Sequence, residues 1–320
     1  MKLLILYLVD WWQKRVLIFK LGNLGKLMVV RDFSCIPQTF KGVLLDAYGV
    51  FWGGNAFGVL AGAAEMMKQL VSTGKVVGIL SNTTQMSEKE IRKLAANGLV
   101  QGLHYHFYIT SGDISKSVFS QQDLPFATPN KRFFLAGGSD HHIPNHRAIF
   151  DGTGFEETHV IEEADFIYLN VPRIQGEDQT NPEKFRAELV HLRHFNLPLV
   201  CANPDRFAQE GNPPRPVVRQ GSLAVMYEEL GGSVFYIGKP HTKSFEMAMR
   251  SFEQYGVYKT NDVIMVGDTP ETDIRGGRNF GMKTALVIQT GMMAQREDLH
   301  SLPTADRPDY YIERLGSNGL

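Results

Sequence analysis

Eight short apolar runs, each continuous rather than alternating, constrain this chain more than any other feature of it. They cover residues 43–46, 76–80, 133–136, 166–170, 199–202, 234–237, 263–266 and 284–288. A strand that is apolar on both faces has to be covered on both faces, as in a parallel sheet flanked by helices. Helical patterns stand between the runs. Residues 58–72 carry an apolar stripe through Leu60, Ala63, Ala64, Met67, Leu70 and Val71. Residues 87–96 open with Ser87 and Glu90 in capping-box spacing. Asn181-Pro182 starts a helix running to about His194, with proline at the favoured first position. Such alternation predicts an α/β fold built on a parallel sheet.

In an open parallel sheet the loops at the carboxyl ends of the strands make the site, so the residues directly after each run are the informative ones. Four positions stand out: Asp46 after VLL, Ser81-Asn82 after VVGIL, Lys239 after VFYIG and Asp268 after VIMVG. Singly, each has an ordinary explanation, because an aspartate, serine or asparagine at such a place usually caps a helix and a lysine is usually solvated. Together, at one edge of one sheet, they form a constellation. Asp46 has the chemistry of a carboxylate nucleophile. Ser81 and Asn82, backed by Thr83 and Thr84, offer short donors suited to phosphate oxygens. Lys239 brings a full positive charge, of the kind that could neutralise both Asp46 and a transferring phosphoryl group. The segment VIMVGDTPETD adds Asp273, so three carboxylates converge. Carboxylates so close raise one another's proton affinity unless a cation joins them, and an all-oxygen set with few protein ligands describes Mg²⁺.

Other chemistries find less support. The 33 basic side chains balance 34 acidic ones, which leaves no basic face of the kind a nucleic-acid binder needs. Cys35 and Cys201 are too few for a disulfide framework and sit in no metal-spaced pair, which fits a reducing, cytoplasmic setting. GGRNFG lies behind the acidic loop instead of between a first strand and helix, so it is no dinucleotide fingerprint. His104 and His106 have no cysteine or carboxylate partner at zinc spacing. The apolar stretch 3–9 is broken by Asp10, lacks a small-residue cleavage site, and falls short of the about 20 residues that span a bilayer. Residues 1–30 read as an extension outside the core fold, with Met28 as the natural start.

In chain order, Asp46 in DAYGV, Ser81 in LSNTT, Lys239 in GKP, and Asp268 with Asp273 in GDTPETD resemble the four motifs of the haloacid dehalogenase-like (HAD) hydrolases. The long interval from Ser81 to Lys239 resembles the class IIA, NagD-like branch, whose cap domain is inserted between the second and third motifs. Cys201-Ala202-Asn203-Pro204-Asp205 is similar to the Asn-Pro-Asp segment of that branch, and Thr110-Ser111-Gly112 to its strand exit into the cap. The resemblance covers about residue 40 to the end. It implies a doubly wound, Rossmann-like core at 31–110 and 234–320 with an inserted α/β cap at 111–233. It further implies a phosphoric monoester hydrolase in which Asp46 forms an aspartyl-phosphate. Mg²⁺ would be held by Asp46, the Tyr48 backbone carbonyl and Asp268, with Asp273 supporting the metal shell. Ser81 and Asn82 would bind the phosphoryl oxygens, and Lys239 would stabilise charge on Asp46 and the transferring group. Asn203, Asp205 and Arg206 are expected to face the substrate from the cap. The expected partners are a small phosphorylated molecule and a second copy bound through the cap, with no nucleic acid and no membrane span.

Tyr48 departs from the family pattern, which carries a second aspartate two residues after the nucleophile to protonate the leaving alkoxide and then activate water. A phenol has a reference pKa of about 10 against about 4 for a carboxyl group, so it is a poor base near neutrality. General acid–base help contributes about 10²–10⁴-fold, and its loss predicts slow turnover of alkyl phosphates. Three readings follow: a phosphatase restricted to good leaving groups, a 2-haloacid dehalogenase-like halide displacement, and a fold that binds a phosphorylated ligand or partner without turnover. The carboxylate cluster and the Asn-Pro-Asp segment favour the first over the second, since a metal-free halide site has no use for three aspartates.

Overall fold

The computed structural model describes residues 6–11, 14–19, 27–137, 145–294, 299 and 301–317. The chain divides into two compact units, one formed by residues 1–80, 93–108 and 248–320 and the other by residues 81–92 and 109–247.

The sheet of the first unit holds seven parallel strands in the order Leu27–Val30, Tyr310–Ile312, Lys283–Val287, Val263–Gly267, Gly42–Leu45, Val76–Ser81 and Phe107–Thr110. Lys14–Phe19 and then Leu6–Trp11 continue it antiparallel beyond Leu27–Val30, so three strands come from before residue 31. The central strands are as apolar as expected and buried on both faces: Val43, Leu44, Leu45 and residues 263–266 are all buried. In register, Leu45 lies opposite both Ile79 and Val266, which aligns the carboxyl ends of three neighbouring strands. The helix expected from residue 58 begins only at Ala63. Its early residues are held in the preceding loop, where the Leu60 N–H donates to the Phe51 carbonyl at 2.8 Å and Gly62 turns with φ +75°.

The second unit carries a five-stranded parallel sheet in the order Val234–Tyr236, Leu199–Cys201, Phe166–Leu169, Arg132–Ala136 and Glu156–Thr158. Here the structure differs from the sequence reading. Residues 234–237 were expected to open the returning core segment, but Val234 pairs with Leu199 and the run forms the edge of this second sheet. A three-residue apolar run reads the same in either sheet, and only the unfilled edge beside Leu199–Cys201 assigns it. Aromatic rings fill much of this unit's core, with Phe133 stacked on Phe150 at 3.9 Å and Phe119 on Phe166 at 5.5 Å between centroids. A second cluster gathers Leu189, Leu192, Leu199, Leu223 and Tyr227.

The expected helix starts are partly met. Asn181 accepts the Glu183 N–H at 3.0 Å and opens a turn that leads into Arg186–Arg193. Helix Ser87–Ala96 has the expected bounds, but Ser87 is its first residue and gives its N–H to Asp113 Oδ1 at 3.0 Å. The reciprocal capping box stands at Thr110 and Asp113 instead. No helix among the described residues is long and apolar enough to cross a membrane.

Candidate active site

Two adjacent strands of the first unit end in carboxylates. Asp46 follows Leu45 and continues the ladder with its N–H to the Val266 carbonyl at 2.9 Å, while Asp268 follows Gly267 on the neighbouring strand. Asp273 returns to the same place through the helical turn Pro270–Ile274. Its Oδ2 accepts the N–H groups of Asp268 at 3.1 Å and Thr269 at 3.0 Å, which pins the turn to the strand end. One oxygen from each of the three carboxylates lies within 4.8 Å of the others, and all three residues are buried. Burial, then the neighbouring charges of Asp46 and Asp273, hold the Asp268 carboxyl well above the usual carboxylate range. Hydrogen bonds from the Met292 N–H at 2.7 Å and the Thr269 hydroxyl at 3.1 Å oppose that shift without cancelling it. A buried, all-oxygen, like-charged donor set fits a hard divalent cation.

Two glycines make room for Asp268. A Cβ on Gly49, at φ +77°, would stand 2.1 Å from Asp268 Oδ2, and one on Gly291, at φ +64°, only 1.8 Å away. Both positions therefore require glycine on conformation and on space. The Thr290 hydroxyl ties the two loops together by donating to the Gly49 carbonyl at 2.5 Å.

Tyr48 is half-buried, and its hydroxyl accepts from the Lys93 ammonium at 3.4 Å. The same ammonium lies 5.4 Å from the Tyr48 ring centroid and 5.2 Å from that of Trp52. Trp52 is buried, and its indole N–H finds no acceptor among the described residues. Sequence reasoning missed Lys93, since a lysine amid KEIRKLAAN carries no signal of its own. It also missed the Thr290-Gly291-Met292 loop, for which a Thr-Gly pair just beyond the run 284–288 was an available cue.

The second unit assembles a different polar cluster. Ser81, buried, closes its strand, and its Oγ accepts the Thr83 N–H at 3.4 Å. Asn82 Oδ1 accepts the Lys239 N–H at 2.7 Å, while its Nδ2 donates to the Lys239 carbonyl at 3.1 Å and to Asp205 Oδ1 at 2.9 Å. Asn203 Oδ1 in turn accepts the Asp205 N–H at 3.0 Å. Lys239 is buried. The structure thus brings Asn82, Asn203, Asp205 and Lys239 together. Arg206 does not join them through its side chain, which is exposed; it contributes a carbonyl that accepts from the Arg219 N–H and the Ser222 hydroxyl. His104 and His106 each accept a backbone N–H through Nδ1 at 3.0 Å, from Val100 and Val77 respectively, which is a structural use.

Comparison with known proteins bears on this arrangement. The family described as haloacid dehalogenase-like hydrolase matches residues 43–156, and a second, HAD-hydrolase-like family matches residues 236–317. Chronophin of Bos taurus is 26% identical over 294 residues, covering 86% of this chain and 90% of its own. The ribonucleotide monophosphatase NagD of Escherichia coli is 23% identical over 267 residues, covering 83% of this chain and 94% of its own. Among solved structures, a haloacid dehalogenase-like hydrolase from Brucella suis superposes with a TM-score of 0.74 at 24% identity, covering 89% of this chain and 99% of its own. With its motifs in family order and its carboxylates gathered at two adjoining strand ends, the chain belongs to the haloacid dehalogenase-like hydrolases, in the class IIA branch of NagD and chronophin.

Proposed function

We propose that this hydrolase is a Mg²⁺-dependent phosphoric monoester phosphatase restricted to esters with good leaving groups. The observation that carries the reading is the buried cluster of Asp46, Asp268 and Asp273, with Asp46 standing directly at a strand end. Asp46, Asp268 and the Tyr48 carbonyl would hold the cation, Asp273 would brace that shell, and the bound ion would neutralise charge on the phosphoryl oxygens. An Asp46 carboxylate oxygen attacks phosphorus, the ester P–O bond breaks with its electron pair leaving on the departing oxyanion, and water then hydrolyses the aspartyl-phosphate to free carboxylate and inorganic phosphate. Ser81, Asn82 and Lys239 are assigned to the phosphoryl oxygens, and Asn203 and Asp205 to the substrate side of the cap. Arg206 keeps a claim on the substrate only through its exposed side chain. The substrate is a small phosphorylated molecule, as the name of the NagD relative states for that protein. Free Cys35 and Cys201 suit a cytoplasmic setting, and pairing of two copies through the cap belongs to the same reading.

Tyr48 sets the restriction. A phenol in place of a carboxyl group neither protonates an alkoxide readily nor activates water near neutrality. The test compares Mg²⁺-dependent phosphate release from an aryl and an alkyl phosphate, in the wild type and in Tyr48→Asp. Measurable aryl turnover with little alkyl turnover is expected, and the substitution raises alkyl turnover by about 10²-fold. A substitution that changes neither rate refutes the leaving-group account of Tyr48.

A further inference from the structure

The reaction so described leaves one charged side chain beside the nucleophile's loop without a task. Lys93 stands in the last turn of helix Ser87–Ala96 and directs its ammonium to the hydroxyl and ring of Tyr48 and to the ring of Trp52. Both ring distances fall inside the about 6 Å over which an aromatic face attracts a cation. A solvated lysine samples many rotamers, whereas two ring faces and a hydroxyl fix this one, so its charge is in place before a ligand arrives. Fixing a group in advance reduces what binding costs. A second observation concerns Trp52, whose buried indole N–H has no acceptor among the described residues. A buried donor left unmatched is unfavourable, and an incoming acceptor relieves it. Negative charge is crowded at Asp46, Asp268 and Asp273, while the side of the loop formed by Tyr48, Trp52 and Lys93 is supplied with positive charge and donors.

We propose that Lys93 is a specificity-determining residue: it takes an anionic substituent, a carboxylate or a second phosphate, on the leaving part of the ester. The proposal rests on the phosphatase reading, because it places the leaving group on the Tyr48 side of Asp46. A substrate with one further negative charge is then preferred over its uncharged analogue. Lys93 acts as a fixed charge, with no proton transfer asked of it.

The test uses the full chain and two pairs of probes whose members differ by one carboxylate. Phenyl phosphate and para-carboxyphenyl phosphate report turnover. Phenylphosphonate and para-carboxyphenylphosphonate, which offer no ester bond to break, report binding. In the wild type the carboxylated member of each pair is favoured. In Lys93→Met the carboxylated-to-plain ratio of kcat/KM falls about 10-fold, the scale of one charge-assisted contact, and the ratio of affinities falls alike. Lys93→Arg restores most of both ratios, and Lys93→Gln serves as a second variant if the methionine protein does not fold. A ratio unmoved by loss of the charge overturns the proposal, even where absolute rates drop, because a lysine that only supports the Tyr48 loop slows both esters equally. Should neither ester be hydrolysed, the phosphatase reading fails by itself, and the phosphonate ratio still decides the role of Lys93.

Discussion

The polar clusters of the two units are assembled on opposite principles. In the second unit, Asn82 meets the Lys239 N–H, the Lys239 carbonyl and the Asp205 carboxylate each with the complementary half of its amide. Donor faces acceptor throughout, and a satisfied buried network of that kind rigidifies the segments it joins. In the first unit, three carboxylates face one another, and Asp268 shows the strain through its raised proton affinity. Like charges gathered out of water work against folding unless a cation completes them. One cluster matches donors to acceptors, while the other gathers like charges at a strand end. That crowding of like charge, more than the presence of any single aspartate, is the reason for proposing the first cluster as the site of chemistry.

The largest effect expected from breaking this contrast is on turnover. Asp46→Asn removes the proposed nucleophile and should lower phosphate release from an aryl phosphate by about 10³-fold or more. Because it also removes one of three like charges, the cation-free protein should unfold no more easily than the wild type. Loss of activity together with loss of stability would instead assign Asp46 a structural part. Asn82, assigned above to the phosphoryl oxygens, should answer in stability as well. Asn82→Leu keeps the branching at Cγ but strips both polar atoms, leaving the Lys239 N–H and carbonyl and the Asp205 carboxylate to seek other partners. A cost of about 2–3 kcal/mol in urea unfolding is expected. A change below about 0.5 kcal/mol would rank the network with ordinary surface contacts.

The contrast also explains what was legible in the sequence. All eight apolar runs are strands, because a strand covered on both faces leaves a composition that no neighbour has to interpret. Asp46, Asp268 and Asp273 could be placed together because their runs are adjacent parallel strands, and parallel strands align their ends. The strands Glu156–Thr158 and Tyr310–Ile312 escaped notice. They are short, and Glu156–Thr158 is polar, so position in the sheet makes them strands more than content does. The edge position of Val234–Tyr236 was unreadable for the same reason. Lys93 was invisible because its meaning comes from Tyr48 and Trp52, some forty residues away and joined to it only by folding.

The smallest predicted effect is the sharpest probe of the like-charged cluster, since it runs against the usual direction. Asp268→Asn should stabilise the cation-free protein. The amide oxygen keeps the Met292 N–H, and the amide NH₂ meets the Thr269 hydroxyl, which can accept as well as donate. What disappears is the charge. The Asp268 carboxyl titrates higher in the folded chain than its ordinary value of 3.8. Below that value both folded and unfolded chains hold the proton, and the carboxyl brings no charge penalty. As pH rises past it, the unfolded chain ionises first, so stability is lost progressively until the folded carboxyl ionises too. The advantage of Asp268→Asn is therefore small at pH 5 and larger at pH 7.5, where a rise of about 3 °C in Tm is expected on a scale of about 2–4 °C per kcal/mol. Adding Mg²⁺ at pH 7.5 should raise the wild-type Tm and leave that of the variant nearly unmoved, because the cation supplies to three carboxylates what the substitution supplies by removing one. A wild type whose melting ignores both pH and Mg²⁺ over this range would mean that the first cluster is as complete as the second, and the contrast between them would be lost.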